Sequence, residues 1–449
     1  MKQNPSIPLL QKLIRNSCVN TGSDDSGNEI VSANTLREFF ASYGIDSEII
    51  ESRTGRANLL VRVKGKNPEM PSLMYMAHMD VVDANAGNWS FDPFGGEIID
   101  GCVCGRGAID MLNMTAAMAA GLAEFVKENG QPENDLLYLA VADEEAAGSW
   151  GAGWLTERHW EKVKCDYMVT ELGGFSVSTV KNGKTRIGVT VAEKGVSRYR
   201  LRTKGVAAHG SMPWKSENAL VKIAEIAAAI GKAEFMVEPT TQYREMVSAL
   251  VDDRSLAEML VDPARADMAL EQLGDPGLAR FLHSAGRMTV SPTILHSGNK
   301  DNIIPDFGEL VIDVRSLPGY GADDIIAAIL AGIGPAKAEL EIVKSEFFPS
   351  NASSTDTPLY RAIGNMVKAV HTDAEPAPLF ISSVSDGRFW RNKGTQVYGF
   401  CMFEPDMTMD RFSSMLHGVN EKISLASMDR AFDFYKTLPL DFIREFEKE

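Results

Sequence analysis

The sequence predicts an α/β protein in which a mixed, mostly parallel sheet with helices on both faces is interrupted by an inserted α+β domain. The chain has 449 residues, which is too long for one ordinary domain. Short apolar runs alternate with helical patterns over residues 1–180, as expected for buried strands joined by helices. This pattern stops near Ala192 and returns near Phe348, so we expect one domain to be divided in the sequence by another.

Residues 1–192 are predicted to form the first part of the divided domain. The predicted elements there are helices over 7–16 and 33–43, strands in "IDSEII", "NLLVRV" and "SLMYMA", an Ala- and Met-rich helix from about 111 to 128, and apolar runs in "DLLYLAVA" and "CDYMVTE". Because these runs have apolar residues on both faces, they are typical of strands that are covered by helices on both sides.

Residues 193–347 are predicted to form the inserted domain. In "VSRYRLRTKG" apolar and polar residues alternate, which is typical of a strand with one face in water. Further patterns are helical over 216–232, 245–285 and 322–332, and strand-like in "RMTVSPTILHSG" and "GELVIDVRSLPG". The first pattern resumes in residues 348–449, with helices near 357–370 and 427–437 and a short strand in "QVYGF".

Composition excludes several classes of partner. The net charge of −16 gives nucleic-acid binding no electrostatic support. No stretch approaches the ~18 apolar residues of a membrane span, and "MKQNPSIPLLQKLIRNSCVN" makes a poor signal peptide because polar residues interrupt its apolar part. The five cysteines form no CxxC motif, which predicts reduced thiols. We therefore expect a cytoplasmic protein that binds neither nucleic acid nor membranes.

Two familiar catalytic motifs are missing from the sequence. Neither G-x-S-x-G nor H-E-x-x-H occurs, so neither a serine nucleophile on a strand–helix turn nor a simple helix-borne zinc site is supported. The segment "GRGAID" begins like a dinucleotide-binding fingerprint, but Asp110 takes the place of its third glycine. Nucleotide-dependent chemistry is therefore not indicated by this segment.

Acidic and histidine residues stand at the ends of the apolar runs. They are His78 and Asp80 in "AHMD", Asp110 in "GRGAIDML", Asp143, Glu144 and Glu145 in "VADEEAAGS", Glu171 in "VTELGG" and, far along the chain, His417 in "MLHGVNE". In α/β sheets the carboxyl ends of the strands meet at one edge, where ligands bind. Each residue alone is compatible with an ordinary surface or core position. Together they predict a metal site, because divalent cations readily neutralise carboxylates gathered beside histidine.

These stretches, in this order, resemble the dinuclear zinc hydrolases that include aminoacylase, glutamate carboxypeptidase, succinyl-diaminopimelate desuccinylase and yeast carboxypeptidase S. The resemblance covers nearly the whole chain and rests on the motifs "WSFDPFGGEIIDGCVCGRGAIDM", "EKGVSRYRLRTKGVAAHGSMP", "DNIIPD", "DVRSLPG", "SDGRF" and "LHGVNE". The helical insertion before "RMTVSPT" is most similar to that of the carboxypeptidase S branch. The implied architecture is a catalytic domain interrupted by a lid domain that also forms dimers.

The resemblance implies a site for two zinc ions in each chain, with cobalt or manganese as substitutes. Asp110 would bridge the two ions. His78 and Glu171 would complete one site, and Glu145 and His417 would complete the other. All of these ligands offer oxygen or nitrogen and none offers a thiolate, a donor set that suits zinc.

The resemblance also implies the roles of two acids beside these ligands. Asp80 lies two residues after His78, on the same strand face, and would accept a hydrogen bond from the second imidazole nitrogen and so orient the ring. Glu144 would be the general base, which takes a proton from the attacking water and delivers it to the leaving amine.

Five further residues match positions that contact the substrate in the resembled family. His209 in "AAHGSMP" would steady the oxyanion in the site of the partner subunit, and Asn302 and Arg315 would hold a substrate carboxylate. Ser385 and Arg388 in "SDGRF" would line the pocket. The alternative for Arg315 and Arg388 is an ordinary ion pair, and the alternative for His209 is an ordinary capped or core histidine.

The predicted function is hydrolysis of the amide bond in a small peptide or N-acyl amino acid with a free carboxylate, as in a carboxypeptidase or dipeptidase. Deacylation of N-acyl amino acids, as by aminoacylase, is the alternative, because both reactions break the same type of bond. A catalytically silent binding protein on the same fold is a remote alternative. The single lid domain predicts a homodimer.

Overall fold

The computed structural model describes residues 4–178, 185–334 and 340–449. The helices are α1 (Ser6–Asn16), α2 (Ile30–Ser42), α3 (Leu112–Asn129), α4 (Ala152–Arg158), α5 (Trp160–Val163), α6 (Ala219–Ile230), α7 (Thr241–Leu250), α8 (Arg254–Leu260), α9 (Ala266–Gln272), α10 (Pro276–Ala285), α11 (Ala322–Ile333), α12 (Pro358–Val370), α13 (Gly387–Arg391), α14 (Met409–Met415) and α15 (Leu425–Phe446). Short 3₁₀ turns lie at Ala86–Asn88 and Glu144–Ala146.

The strands are β1 (Glu48–Arg53), β2 (Arg56–Val63), β3 (Leu73–His78), β4 (Glu97–Ile99), β5 (Cys102–Cys104), β6 (Leu136–Val141), β7 (Tyr167–Thr170), β8 (Ser176–Ser178), β9 (Thr185–Glu193), β10 (Gly195–Lys204), β11 (Ala208–His209), β12 (Thr289–Ser297), β13 (Ile303–Ile304), β14 (Phe307–Ser316), β15 (Glu341–Phe348), β16 (Asn351–Ala352), β17 (Ala374–Ile381), β18 (Gln396–Gly399) and β19 (Lys422–Ser424). Among the helices described, none combines the length and the apolar character needed to cross a lipid bilayer.

The chain divides into two compact units. The first comprises Met1–Val191, Ser353–Leu379 and Ser385–Glu449, and the second comprises Ala192–Ala352 and Phe380–Val384. The predicted domains have the limits 1–192, 193–347 and 348–449. That these segments form separate domains stays a prediction.

The first unit contains a mixed sheet with a parallel centre. Seven of the strands of this sheet lie in the order β1, β2, β6, β3, β7, β18 and β9. Strand β3 runs parallel to β6 and β7, and β18 runs parallel to β7, whereas β1, β2 and β9 pair with their neighbours in antiparallel fashion. The predicted mixed, mostly parallel sheet is confirmed, and the carboxyl ends of its central strands share one edge.

Successive side chains of β3 point to opposite faces of this sheet, and helices cover both faces. Met74 and Met76 belong to a buried cluster with Leu155 of α4 and Trp390 of α13. Tyr75 lies on the other face, toward α15. Every side chain of β3 is therefore buried, which explains why the strand is apolar at consecutive positions.

The last helix continues beyond its predicted end. We expected a helix near 427–437, whereas α15 runs through Pro439 to Phe446. A proline has no N–H to donate to the carbonyl four residues before it, which here belongs to Tyr435. The hydroxyl of Tyr75 donates to this carbonyl at 2.8 Å. A side chain from the sheet thus replaces the missing helical hydrogen bond and allows the helix to continue.

The second unit contains an antiparallel sheet in the strand order β12, β14, β10 and β15. Along β10, from Tyr199 onward, buried side chains alternate with more exposed ones, as "VSRYRLRTKG" predicts. One face packs against α6 and α11 through a buried cluster that includes Leu201, Ile223, Ile312 and Ile329. One face of this antiparallel sheet is therefore covered by helices, and the opposite face is more open to water.

The predicted helical stretch 245–285 is interrupted in the structure, because new helices start within it. Asp253 and Asp275 cap the first turns of α8 and α10, where their carboxylates accept hydrogen bonds from backbone N–H groups. Aspartate at this position favours the start of a helix over its continuation. The stretch is mostly helical, as its composition predicts, but the caps divide it into several short helices.

The bond between Tyr75 and the Tyr435 carbonyl can be tested with a double-mutant cycle. Tyr75→Phe leaves a buried carbonyl without this donor, so we expect the free energy of unfolding to fall by about 1–3 kcal/mol. In a Pro439→Ala background residue 439 regains an N–H, so Tyr75→Phe should lower the free energy of unfolding by clearly less than in the wild type. Urea denaturation of the four proteins measures both costs, and equal costs would contradict this account of α15.

Candidate metal centre

The ends of the parallel strands bring the predicted ligands to one edge of the sheet. Strand β3 ends at His78, β6 is followed by the turn Glu144–Ala146, and β7 is followed by Glu171. Because β6, β3 and β7 are parallel neighbours, these positions lie side by side. The structure thus brings these predicted residues together.

His78 is buried and held in one orientation. Its Nδ1 lies 2.8 Å from the backbone oxygen of Asp80, so in the neutral ring Nδ1 carries the proton. Its Nε2 lies 3.1 Å from Oδ1 of Asp110 and 3.8 Å from Oε2 of Glu171. The ring therefore points the nitrogen with the free lone pair at two carboxylates, as a metal-ligating histidine does.

Asp110 lies between two imidazoles. Its Oδ1 faces Nε2 of His78, and its Oδ2 lies 3.2 Å from Nε2 of His417. Burial opposes ionisation of this carboxyl, but hydrogen bonds from the protonated imidazoles of His417 and His78 hold its pKa below the usual range. Each oxygen of one carboxylate faces a different nitrogen, which is the arrangement that a bridge between two metal ions requires.

Glu145 completes the side of the cluster that His417 occupies. Nε2 of His417 lies 3.1 Å from Oε2 of Glu145. The other oxygen, Oε1, is buried and makes no hydrogen bond to the described part of the chain. Leaving a carboxylate oxygen buried without a partner is costly. A metal ion bound between these side chains would satisfy this oxygen, so the residues present fit a metal ion.

Crowding of carboxylates is the second indication of a cation site. Donor atoms of His78, Asp110 and Glu145 lie within 4.8 Å of one another, and so do those of His78, Glu144 and Glu171. Burial, together with the charge of Glu171, raises the pKa of Glu144 well above its usual value, and burial raises the pKa of Glu171 to about 7. Divalent cations would offset this unfavourable gathering of negative charge.

Asp80 orients more than the imidazole. Its Oδ1 is 3.7 Å from Nδ1 of His78, so the ring nitrogen bonds to the backbone oxygen of Asp80 and not to the predicted carboxylate. The strand ends at His78, so the alternation expected from a continuous strand does not extend to Asp80. The carboxylate instead accepts hydrogen bonds from the backbone N–H groups of Glu144 and Glu145 at 3.2 and 3.1 Å. Asp80 therefore also shapes the turn that carries both glutamates.

A buried polar network behind this turn escaped the sequence analysis. The guanidinium of Arg56 donates to Glu29 at 2.6 Å and to Asn20 at 3.0 Å. The amide of Asn20 donates in turn to the carboxylates of Asp80 and Asp143 at 2.8 and 3.1 Å. The only signal in the sequence was a charged residue, Arg56, at the start of a mostly apolar strand. The network links the amino-terminal segment to the metal-site turn.

Ser385 and Arg388 lie in the first unit but are buried. The guanidinium of Arg388 donates to the backbone oxygens of Ser385 and Ala147, both at 2.8 Å. Ala147 directly follows the turn Glu144–Ala146, so Arg388 braces that turn. This geometry favours a supporting role for Arg388, and the predicted contacts of Ser385 and Arg388 with substrate stay predictions.

The second unit brings two of its three predicted residues together. His209 and Asn302 are neighbours because β11 pairs with β13, the strand that follows Asn302. Arg315 forms a forked ion pair with Asp313, with N–O distances of 2.7 and 3.2 Å. The ordinary ion pair that was the alternative for Arg315 is therefore present, and its role in binding substrate stays a prediction.

Comparisons with known proteins agree with this geometry. Residues 74–441 match the family described as Peptidase family M20/M25/M40. The human N-fatty-acyl-amino acid synthase/hydrolase PM20D1 is 25% identical over 401 residues, which cover 87% of this chain and 77% of the relative. The probable carboxypeptidase S-like 2 of Dictyostelium discoideum is 24% identical over 390 residues, which cover 84% and 73%.

A solved structure shares the fold over nearly all of the chain. It is the M20 family metallo-carboxypeptidase Sso-CP2 from Sulfolobus solfataricus, with a TM-score of 0.75, 16% identity, and coverage of 98% of this chain and 100% of the other. The predicted resemblance, including the carboxypeptidase S-like relatives, is thus confirmed, as is the prediction of an enzyme of the metallopeptidase and amidohydrolase class. The chain belongs to peptidase family M20/M25/M40.

Proposed function

We propose that this protein is a zinc-dependent hydrolase that cleaves the amide bond of a small substrate with a free carboxylate, acting as a carboxypeptidase or dipeptidase. The observation that carries the proposal is the carboxylate of Asp110, which lies between the imidazoles of His78 and His417. The metallo-carboxypeptidase from Sulfolobus solfataricus, which shares the fold, supports the same class of reaction.

The five predicted ligands would hold two zinc ions per chain. Asp110 would contribute one oxygen to each ion, with His78 and Glu171 on one side and Glu145 and His417 on the other. The oxygen and nitrogen donors suit zinc, and cobalt or manganese would substitute. When bound, the metal ions lower the pKa of water and polarise the scissile carbonyl.

Glu144 is the proposed general base. It precedes Glu145 in a 3₁₀ turn, where successive side chains project about 120° apart, so one can ligate metal while the other faces the reacting groups. Its buried carboxyl holds a proton more readily than an exposed one. It therefore takes the proton from the attacking water and passes it to the nitrogen of the leaving amine. Asp80 holds the backbone of this turn during the transfer.

The second unit supplies the proposed contacts with the substrate. Nδ1 of His209 accepts a hydrogen bond from the backbone N–H of Ser211, so the neutral ring carries its proton on Nε2. An exposed Nε2–H donor suits the proposed task of steadying an oxyanion. We propose that Asn302 and Arg315 hold the substrate carboxylate, with Ser385 and Arg388 as further pocket residues of the first unit.

Deacylation of N-acyl amino acids is the second candidate. It is favoured by the human relative, which is named an N-fatty-acyl-amino acid synthase/hydrolase. The bond that breaks is an amide in both reactions, so the same base and the same ligands would serve. The two candidates differ in whether the group on the carbonyl side is an amino acid or an acyl chain.

We also propose a homodimer that forms through the second unit. Strand β12 is one of the two edge strands of its sheet and exposes Ile294 and Leu295, which are 48% and 43% accessible. An edge strand with exposed apolar side chains is a surface for pairing. Two copies of the same edge can pair about a twofold axis, which makes a second copy of this chain the expected partner.

A cytoplasmic location completes the proposal. All five cysteines are free. Four of them are buried, so they behave as small apolar core residues. Unpaired cysteines are typical of proteins from reducing compartments.

A substrate screen on zinc-loaded protein tests the proposed function. We expect hydrolysis of dipeptides with a free terminal carboxylate, and a loss of about 10- to 100-fold in kcat/KM when that carboxylate is amidated, because a charge-assisted hydrogen bond is lost. Faster turnover of N-acetyl or N-fatty-acyl amino acids would favour the second candidate. If no member of either panel is hydrolysed, the remaining interpretation is a catalytically silent binding protein on the same fold.

Glu144→Gln separates the general base from the metal ligands. We expect kcat to fall by about 10²- to 10⁴-fold, the usual contribution of general acid–base catalysis, while the zinc content stays that of the wild type. The matched control is Glu157→Gln, an exposed residue of the neighbouring α4, which should change neither value. If Glu144→Gln loses zinc in parallel with activity, Glu144 is a ligand and the assignment of the base is wrong.

The proposed dimer interface predicts the mass of the protein in solution. Light scattering should give twice the chain mass of 49.0 kDa. Ile294→Lys places a charge on the β12 edge and should shift the protein toward monomers. The control is Val370→Lys, which changes an exposed apolar residue of the first unit and should leave the dimer intact. A stable wild-type monomer would refute the interface.

A further inference from the structure

Glu421 is a fully buried carboxylate that lies outside the ligand set. It ends the motif "LHGVNE", four residues after His417. Its Oε1 accepts hydrogen bonds from the backbone N–H groups of Ile109 and Asp110, at 2.5 and 3.0 Å. Its Oε2 accepts from the backbone N–H of Gly107 and from Nη1 of Arg106, at 3.1 and 2.9 Å. Both oxygens are thus fully used as acceptors.

All four donors belong to the loop that carries Asp110 between β5 and α3. Arg106 also connects this loop to the other ligand segment, because its Nη2 donates to the backbone oxygen of His417 at 3.4 Å. Pairing of β19 with β5 extends the connection, with Lys422 opposite Cys104. The segments that carry Asp110 and His417 are therefore joined through Glu421 and its immediate neighbours.

We propose that Glu421 is a positioning residue that fixes Asp110 and His417 relative to each other and thereby sets the metal affinity of the site they share with Glu145. Two of the three ligands of this site lie on the segments that Glu421 joins. Only one ligand of the other site, Asp110, lies on them. The inference rests on the proposed metal binding, and it predicts that loss of Glu421 affects the two sites unequally.

The chemistry of the contacts requires a carboxylate here. A carboxylate only accepts hydrogen bonds, whereas the side-chain amide of glutamine would point its NH₂ group at Arg106 or at backbone N–H groups. The guanidinium of Arg106 also compensates the buried charge, so Glu421 adds no unpaired anion beside Asp110. An ordinary structural ion pair would stabilise the fold as a whole without discriminating between the two metal sites.

Titration of metal-free protein with cobalt(II), followed by visible absorption, tests the inference. The variants His417→Ala and His78→Ala each remove one ligand and identify which absorption belongs to which site. We expect Glu421→Gln to weaken the Glu145–His417 site about 10- to 100-fold, the usual effect of losing a group that orients a metal ligand, and to weaken the other site less. Glu421→Asp, which keeps the charge, should recover part of this loss.

The control is Glu124→Gln, a buried glutamate near the far end of α3 that bonds to Tyr43 and Lys127. It should leave both cobalt affinities unchanged.

Equal weakening of both sites by Glu421→Gln, or no weakening of either, would overturn the inference while leaving the proposed function intact. A wild-type protein that binds no cobalt would overturn the proposed metal binding itself, and with it this inference. If Glu421→Gln does not fold, Glu421→Asp alone decides, since unequal weakening of the sites is expected there too.

Discussion

The carboxylate of Asp110, placed between two imidazoles, is the contact on which the site depends. Its two oxygens face His78 and His417 at 3.1 and 3.2 Å, and these histidines come from distant parts of the chain. Burial raises the pKa of Glu171 to about 7, so a bound cation would favour the charged form of this carboxylate. The arrangement makes physical sense as a pair of metal sites that share one ligand.

The rest of the first unit holds this contact in place. Parallel strands bring His78 and the turn with Glu144 to the same edge of the sheet, but strand ends alone do not orient side chains. Orientation comes from buried hydrogen bonds to backbone atoms. The carbonyl of Asp80 fixes the tautomer of His78, and the carboxylate of Asp80 fixes the turn after β6. Loss of such a supporting group typically lowers metal affinity by about 10- to 100-fold.

The sequence predicted the sheet and pointed to the candidate ligands that cluster at its edge, because both leave local signals. Apolar runs mark the strands, and charged residues directly after them mark the site. It did not reveal the contacts of Arg56 or Glu421, since their partners lie far away in sequence or are backbone N–H groups, which have no signature in a sequence. The sequence did not predict that α15 continues through Pro439 for the same reason: the hydroxyl of Tyr75, which compensates for the missing N–H, belongs to another element. For Asp80 the predicted partner, His78, is correct but the acceptor atom is not, because the imidazole bonds to the backbone oxygen of Asp80 and not to its carboxylate.

Diffraction from crystals of zinc-loaded protein, recorded at the zinc absorption edge, tests the central claim most directly. The account predicts two anomalous peaks, each next to a different oxygen of Asp110. One should lie against His78 and Glu171 and the other against Glu145 and His417. A single peak that does not touch Asp110, or no peak among these side chains in zinc-loaded protein, would contradict it.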